Sequence, residues 1–142
     1  YRVAPALSIL GAVELDLGNL DEARSLLERS LVAFKPTAGT ESQYLVEPLT
    51  NLAVAGLLSD AVEQDCEPAQ RAVRIVGAPM DSSLPEHIYR QAILDACLAA
   101  SDRPRASDGI DVALASLRRD KTSRSRWTRV IVRIAQKFHA AR

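Results

Sequence analysis

The sequence is poor in several residue types, and each scarcity excludes a class of protein. Aromatic residues make up 4% of the 142 positions, and the chain contains two cysteines and two histidines. Two cysteines are too few for the disulfide framework of a small secreted scaffold. We therefore expect Cys66 and Cys97 to behave as small buried apolar side chains in a reducing cytoplasm. Charged residues or prolines interrupt every apolar run before it reaches the roughly eighteen residues of a membrane span.

The sequence also lacks the patterns that indicate catalysis or metal binding. His87 and His139 have no second histidine or cysteine at helical ligand spacing. No nucleophile elbow and no glycine-rich phosphate loop are present in the sequence. We therefore predict no enzymatic activity, no cofactor and no metal site. Because the chain begins with Tyr1 and shows no leader, we expect it to be a fragment of a larger protein.

The abundant residues favour helices throughout the chain. Strong helix formers dominate, 47% of the residues are hydrophobic, and no stretch alternates as a half-buried strand does. Gly18-Asn19 predicts the end of the first helix, and Pro68 predicts that the fourth begins near Glu67. The predicted helices span residues 3–17, 21–35, 42–59, 65–77, 85–101, 107–119 and 123–140.

These helices repeat with a spacing of about 42 residues. Leu10-Gly11 aligns with Leu52-Ala53, and Ile9-Leu10 aligns with Ile93-Leu94 at twice that offset. A repeat of this length indicates two-helix units that bury their apolar faces by stacking. The sequence predicts one domain with units at about 3–36, 42–78 and 85–119, followed by a terminal helix at 123–140.

The first unit carries small and apolar residues in a recurring order within the stretch LSILGAVELDLGNLDEARSLLERSL. These residues are Leu7, Leu10, Gly11, Gly18, Ala23, Leu27 and Ser30. The set resembles the tetratricopeptide repeat, and residues 49–53 look like the Leu-x-Asn-Leu-Ala of its long, 42-residue variety. That variety is similar to the repeats of kinesin light chains and bacterial signalling regulators. The resemblance implies an all-α, right-handed superhelix of about three antiparallel hairpins with a C-terminal capping helix.

In this family the first helix of each unit lines a concave groove, and a matching asparagine contacts the backbone of a ligand. Asn51 stands at that position. No basic-plus-amide set resembles the family's clamp for a terminal carboxylate. The partner-binding groove implied by the resemblance is lined by Ser8, Ala12, Glu47, Thr50, Asn51, Val54, Leu58 and Tyr89. The alternative interpretation is that these residues only pack helices together.

The formal net charge of zero hides two opposite halves. Residues 1–68 hold four basic and eleven acidic side chains, a net of −7, and residues 69–142 hold fourteen and seven, a net of +7. Helical spacing predicts a basic stripe of Arg126, Arg133, Arg129 and Lys137 on the terminal helix, beside an apolar stripe. Three roles remain open for this helix: a cap on the last hairpin, docking to an acidic partner such as a second copy, or contact with nucleic acid or an anionic membrane.

The sequence predicts a protein-protein interaction or self-association module from a bacterial, cytoplasmic regulatory or signalling protein. Its expected partner is a protein or peptide, another domain of the same parent chain or a second copy, rather than nucleic acid. The alternative function is a regulatory sensor segment that binds a small ligand, or nucleic acid through the basic C-terminal helix.

Overall fold

The described part of the chain in the computed structural model is all-α. It comprises residues 2–38, 41–60, 65–119 and 125–140, in which no strand is present. The helices are α1 (Val3–Leu17), α2 (Leu20–Ala38), α3 (Val46–Leu58), α4 (Glu67–Val76), α5 (Pro85–Leu98), α6 (Arg103–Arg119) and α7 (Arg126–Ala140). A short 3-10 turn at Gln43–Leu45 leads into α3.

The helix ends follow the local signals in the sequence. Gly18 ends α1 with a left-handed φ of 86°, a conformation that costs glycine little. Pro68 lies in the first turn of α4, as predicted, because a proline there removes no intrahelical hydrogen bond. The predicted start of the sixth helix was wrong. α6 begins at Arg103, which places Pro104 in its first turn as well.

Consecutive helices pack against each other along the chain. The pair α1 and α2 makes the most extensive contact, and the alternate helices α1 and α3, and α3 and α5, also touch. Ser30 Oγ donates a hydrogen bond to the carbonyl oxygen of Ala4, 2.8 Å away, which ties the middle of α2 to the start of α1. At the middle of this antiparallel pair, a Cβ on Gly11 would lie 2.6 Å from Leu27 Cγ. The absence of a side chain at Gly11 therefore allows the two helices to approach closely.

The core consists of two clusters. The larger one joins residues from α3, α5 and α6 to the apolar face of α7, where Val130, Ile131 and Ile134 are almost completely buried. The smaller one lies between α1, α2, α3 and α4 and includes Phe34 and Leu49. The amphipathic terminal helix predicted from the sequence is therefore an integral part of the main core.

Cys66 and Cys97 form a disulfide, with their Cα atoms 5.7 Å apart. The sequence-based expectation that both would be unpaired apolar side chains was wrong, because the fold brings together two positions that are 31 residues apart. The bond joins the residue before α4 to the last turns of α5. Since disulfides are uncommon in a reducing cytoplasm, the cysteines no longer support a cytoplasmic location, which stays a prediction.

None of the helices in the described ranges is both long and apolar enough to cross a membrane.

Candidate functional site

A pocket of about 290 Å³ opens between α3, α5 and the start of α7. It brings together four of the eight groove residues predicted from the sequence and one residue of the basic stripe. The lining side chains belong to Gln43, Val46, Glu47, Thr50, Asn51, Tyr89, Arg90, Arg126 and Trp127.

The N-terminal ends of α5 and α7 position two of these side chains. Pro85 opens α5 at its first position, where its restricted φ suits a helix, and Tyr89 follows one turn later. Ser125 precedes α7, and its Oγ accepts a hydrogen bond from the backbone N–H of Thr128, 3.3 Å away. This cap fixes the start of α7, so that Arg126 enters the pocket from the first residue of the helix.

Arg126 connects three helices through one guanidinium group. Its Nε lies 3.0 Å from the nearer carboxylate oxygen of Asp16, near the end of α1. Its Nη1 donates to the side-chain oxygen of Asn51 on α3, 3.1 Å away. The fold thus creates a basic-plus-amide pair that is invisible in the sequence, where the two residues are 75 positions apart.

Three buried polar atoms around this guanidinium have no hydrogen-bond partner within the described residues: Asn51 Nδ2, Tyr89 Oη and Arg126 Nη2. Asn51 is 1% exposed and Tyr89 is 3% exposed. A buried polar group without a partner costs about 1–3 kcal/mol relative to a satisfied one. All three atoms can donate a hydrogen bond, so the arrangement favours a bound group that carries acceptor oxygens.

Burial raises the pKa of Tyr89 to about 12, and Arg126 opposes this rise through its charge and its closeness to the hydroxyl. No hydrogen bond of normal geometry joins the Tyr89 hydroxyl to Arg126, so both groups keep a donor to offer. The phenol is therefore protonated near neutral pH and remains a hydrogen-bond donor. Its ring stacks on the indole of Trp127, with the two centroids 6.2 Å apart. The pocket consequently combines an aromatic wall with a cluster of donors.

The other predicted groove residues differ in their surroundings. Glu47 is exposed at the pocket, and the hydroxyl of Thr50 donates to the carbonyl oxygen of Val46, 2.7 Å away. Four residues lie outside the pocket: Ser8, Ala12, Val54 and Leu58. Val54 is completely buried in the same cluster as residues of α7, because α7 packs against α3 at this level.

The basic stripe contacts the acidic half of the same chain at two further points. Arg133 Nη1 donates to the carbonyl oxygen of Leu15, 2.9 Å away, in the last turn of α1. Lys137 Nζ donates to the carbonyl oxygen of Ser59 after α3 and lies 3.4 Å from a carboxylate oxygen of Asp60. Cations are favourable at these helix C-termini, where carbonyl groups point outward. The fourth member, Arg129, lies on the exposed side of α7.

Sequence reasoning did not assign Asp16, Arg90 or Trp127 to a site. The opposite charges of the two halves left docking of the basic helix to an acidic region as one of three open roles. That signal does not identify pairs such as Asp16 and Arg126, which are 110 residues apart. Arg90 lines the pocket partly buried, and this burial lowers the pKa of its guanidinium group.

Within the described residues, no group of three or more His, Cys, Asp or Glu side chains is arranged to hold a metal ion. No protein-family model matches the sequence. No curated protein and no solved structure matches it either.

Proposed function

We propose that this chain is a non-enzymatic protein-interaction module that binds a peptide segment in the pocket between α3, α5 and α7. The observation that carries the proposal is the cluster of three unpartnered buried donors on Asn51, Tyr89 and Arg126. Backbone carbonyl or carboxylate oxygens of a peptide supply the acceptors that these atoms need. The half-buried ring of Trp127 provides an apolar contact for a neighbouring side chain.

The proposed architecture is a right-handed superhelix of three tetratricopeptide-like hairpins closed by α7. It is supported by the contacts between consecutive helices and by those between the alternate helices α1, α3 and α5. In such a stack the first helices of the units form an extended binding face. A place in a bacterial, cytoplasmic signalling protein remains part of this proposal through the family resemblance.

A protein partner is favoured over nucleic acid because three of the four side chains of the basic stripe already bond within the chain and are less available to phosphates. Arg126, Arg133 and Lys137 each bond to the N-terminal half of the chain. Nucleic-acid binding would draw on such cations to neutralise phosphates, with a steep loss of affinity as salt rises.

A second candidate function is a sensor for a small carboxylate. It is favoured by the size of the pocket, about 290 Å³, which suits a ligand of amino-acid size. Both functions would use the same three hydrogen-bond donors. The acceptor oxygens belong to a peptide in the first function and to a free small molecule in the second.

The substitution Tyr89→Phe tests the proposal, because it removes the unpartnered hydroxyl and keeps the ring that stacks on Trp127. Peptides are first selected on the immobilised wild-type chain from a random-sequence display library, and their affinities are then measured by calorimetry. We expect Tyr89→Phe to weaken binding by roughly tenfold, since it deletes one buried hydrogen bond to the ligand. Free amino acids, tested in parallel, identify the sensor function if they bind with the same dependence.

The matched control is Tyr44→Phe, at a tyrosine that is 72% exposed and does not line the pocket. Its peptide affinity should equal that of the wild type. Failure to select any peptide, together with no amino-acid binding, would contradict the proposed function. So would peptides that bind equally well to the wild type and Tyr89→Phe.

A further inference from the structure

Glu47 is an acidic side chain that lines the pocket between α3, α5 and α7. It lies in the first turn of α3, is exposed, and precedes Asn51 by one helical turn. The two side chains therefore share a face of α3 and lie about 6 Å apart along its axis. Burial is the main cause of the raised pKa of Tyr89, and the charge of Glu47 adds to it. The carboxylate of Glu47 is thus close enough to the Tyr89 hydroxyl to act on it electrostatically.

The charges that line the pocket are unequally compensated. Arg126 bonds to the carboxylate of Asp16. Burial lowers the pKa of Arg90, and the carboxylate of Glu86, one turn earlier on α5, opposes this shift, so each arginine has an acidic neighbour. Among the ion pairs of the described residues, none involves Glu47. Within that part of the chain, the uncompensated charge of the pocket lining is therefore negative.

Trp127 adds an aromatic surface that suits a cation. Its indole lines the same pocket, is half-buried and stacks on the ring of Tyr89. A cation over the face of an aromatic ring is attracted by its negative face, and tryptophan gives the strongest attraction of this kind. A carboxylate and an indole in one pocket consequently favour a positively charged group beside them.

Glu47 also has a role that needs no ligand. Its carboxylate lies at the N-terminal end of α3, where negative charge is favourable. Glu22 has the same role in the first turn of α2 and is also exposed, but it does not line the pocket. Any effect of Glu47 on ligand selection that Glu22 lacks therefore comes from its position at the pocket.

We propose that Glu47 and Trp127 form a subsite for the cation of a lysine or arginine side chain on the bound peptide. Backbone oxygens of the same peptide accept from the three buried donors described above. About two residues of an extended peptide cover the distance of about 6 Å between Glu47 and Asn51, so one short segment reaches both subsites. The inference rests on the proposed function and specifies the class of peptide as basic.

Reversal of one charge tests the subsite. Peptides are selected from a random-sequence display library on the wild type, Glu47→Lys and Glu22→Lys in parallel. The wild type and Glu22→Lys should enrich lysine or arginine at one position of the peptide. Glu47→Lys should enrich aspartate or glutamate there, because the charge of the subsite is reversed. Both glutamates are exposed, so the circular dichroism of each variant should match that of the wild type.

Calorimetry then measures whether Glu47 and the basic residue of the peptide act on each other. Glu47→Gln should weaken a selected basic peptide roughly fivefold, as should replacement of the basic residue by glutamine. The two changes together should weaken binding no more than either alone, because each removes the same contact. Glu22→Gln is the matched control and should bind the basic peptide as the wild type does.

The outcomes separate this inference from the proposed function. Peptides that depend on the Tyr89 hydroxyl but show no enriched basic position, or that bind equally well to the wild type and Glu47→Gln, would overturn the inference and leave the proposed function intact. Enrichment of acidic residues by the wild type would overturn it as well. Peptides that bind Tyr89→Phe and the wild type equally, or no selected peptide at all, would contradict the proposed function and the inference together.

Discussion

The two ends of the helix array differ in the face that points away from the core. α7 buries one apolar face, with Ile131 and Ile134 fully covered, and exposes polar residues such as Arg129 and Gln136. α1 buries one apolar face and exposes another that contains Leu10 and Leu17. A terminal helix with a polar outer face closes a stack of repeats, whereas an apolar outer face leaves the stack able to add another helix. The comparison teaches that burial of one apolar face does not determine the character of the opposite face, which is polar on α7 and apolar on α1.

The most sensitive test of this difference truncates one apolar side chain at each end. Ile134→Ala in α7 should lower the free energy of unfolding by about 2–5 kcal/mol, because it leaves a cavity in the core. Leu17→Ala on α1, which is 68% exposed, should change it by less than about 0.5 kcal/mol in a dilute sample. Urea unfolding followed by circular dichroism measures both. Equal losses would show that the outer face of α1 is covered in the monomer.

A second prediction concerns how the middle of the array is held. The disulfide between Cys66 and Cys97 links the start of α4 to α5, which make less contact with each other than α1 and α2 do. Reduction should lower the free energy of unfolding by about 2–4 kcal/mol, because the unfolded chain regains the freedom of the closed loop. Urea unfolding with and without a phosphine reductant gives this value. The double variant Cys66→Ala/Cys97→Ala should show no effect of the reductant, and a wild type that is equally insensitive would contradict the prediction.

A third prediction compares the packing of two glycines, one in the first hairpin and one in the third. Gly11→Ala should destabilise the protein by about 1–3 kcal/mol, because the added Cβ would lie 2.6 Å from a carbon of the buried Leu27 side chain. Gly109→Ala meets nothing within 4 Å and should stabilise α6 by up to about 1 kcal/mol. Thermal unfolding of the two variants should therefore shift in opposite directions. A stabilising Gly11→Ala would mean that α1 and α2 separate easily, unlike a tightly packed pair.

The smallest expected effect concerns the ion pairs that attach α7. Asp16→Asn weakens the pair with Arg126 and should cost about 0.2–1 kcal/mol, since both side chains are partly exposed. The loss should shrink as salt rises, because exposed charges are screened. Asp60→Asn is the control, since the Asp60 side chain is fully exposed beside Lys137 and should contribute nothing measurable. Equal effects of the two substitutions would show that burial does not distinguish these pairs.

Much of the local structure was predictable from the sequence. Seven helices were expected and seven are present in the described residues, with the first ending at Gly18 and the fourth beginning at Glu67. The start of α6 was missed because Pro104 was interpreted as part of a loop, although a proline is equally compatible with a first turn. The candidate site was predictable only in part. Asn51 and Tyr89 came from the family resemblance, and nothing in their spacing indicated that Arg126 would lie beside them.

The sequence by itself determined the helices, their ends, the amphipathic character of α7 and the opposite charges of the two halves. These properties depend on residues within a few turns of one another, where periodicity and capping act. Only the tertiary structure decided that Arg126 meets Asp16 and Asn51, that Cys66 pairs with Cys97, and that the apolar face of α1 has no neighbour within the described chain. Such contacts join positions separated by 31 to 110 residues, and they arise from the way the helix surfaces fit together in three dimensions.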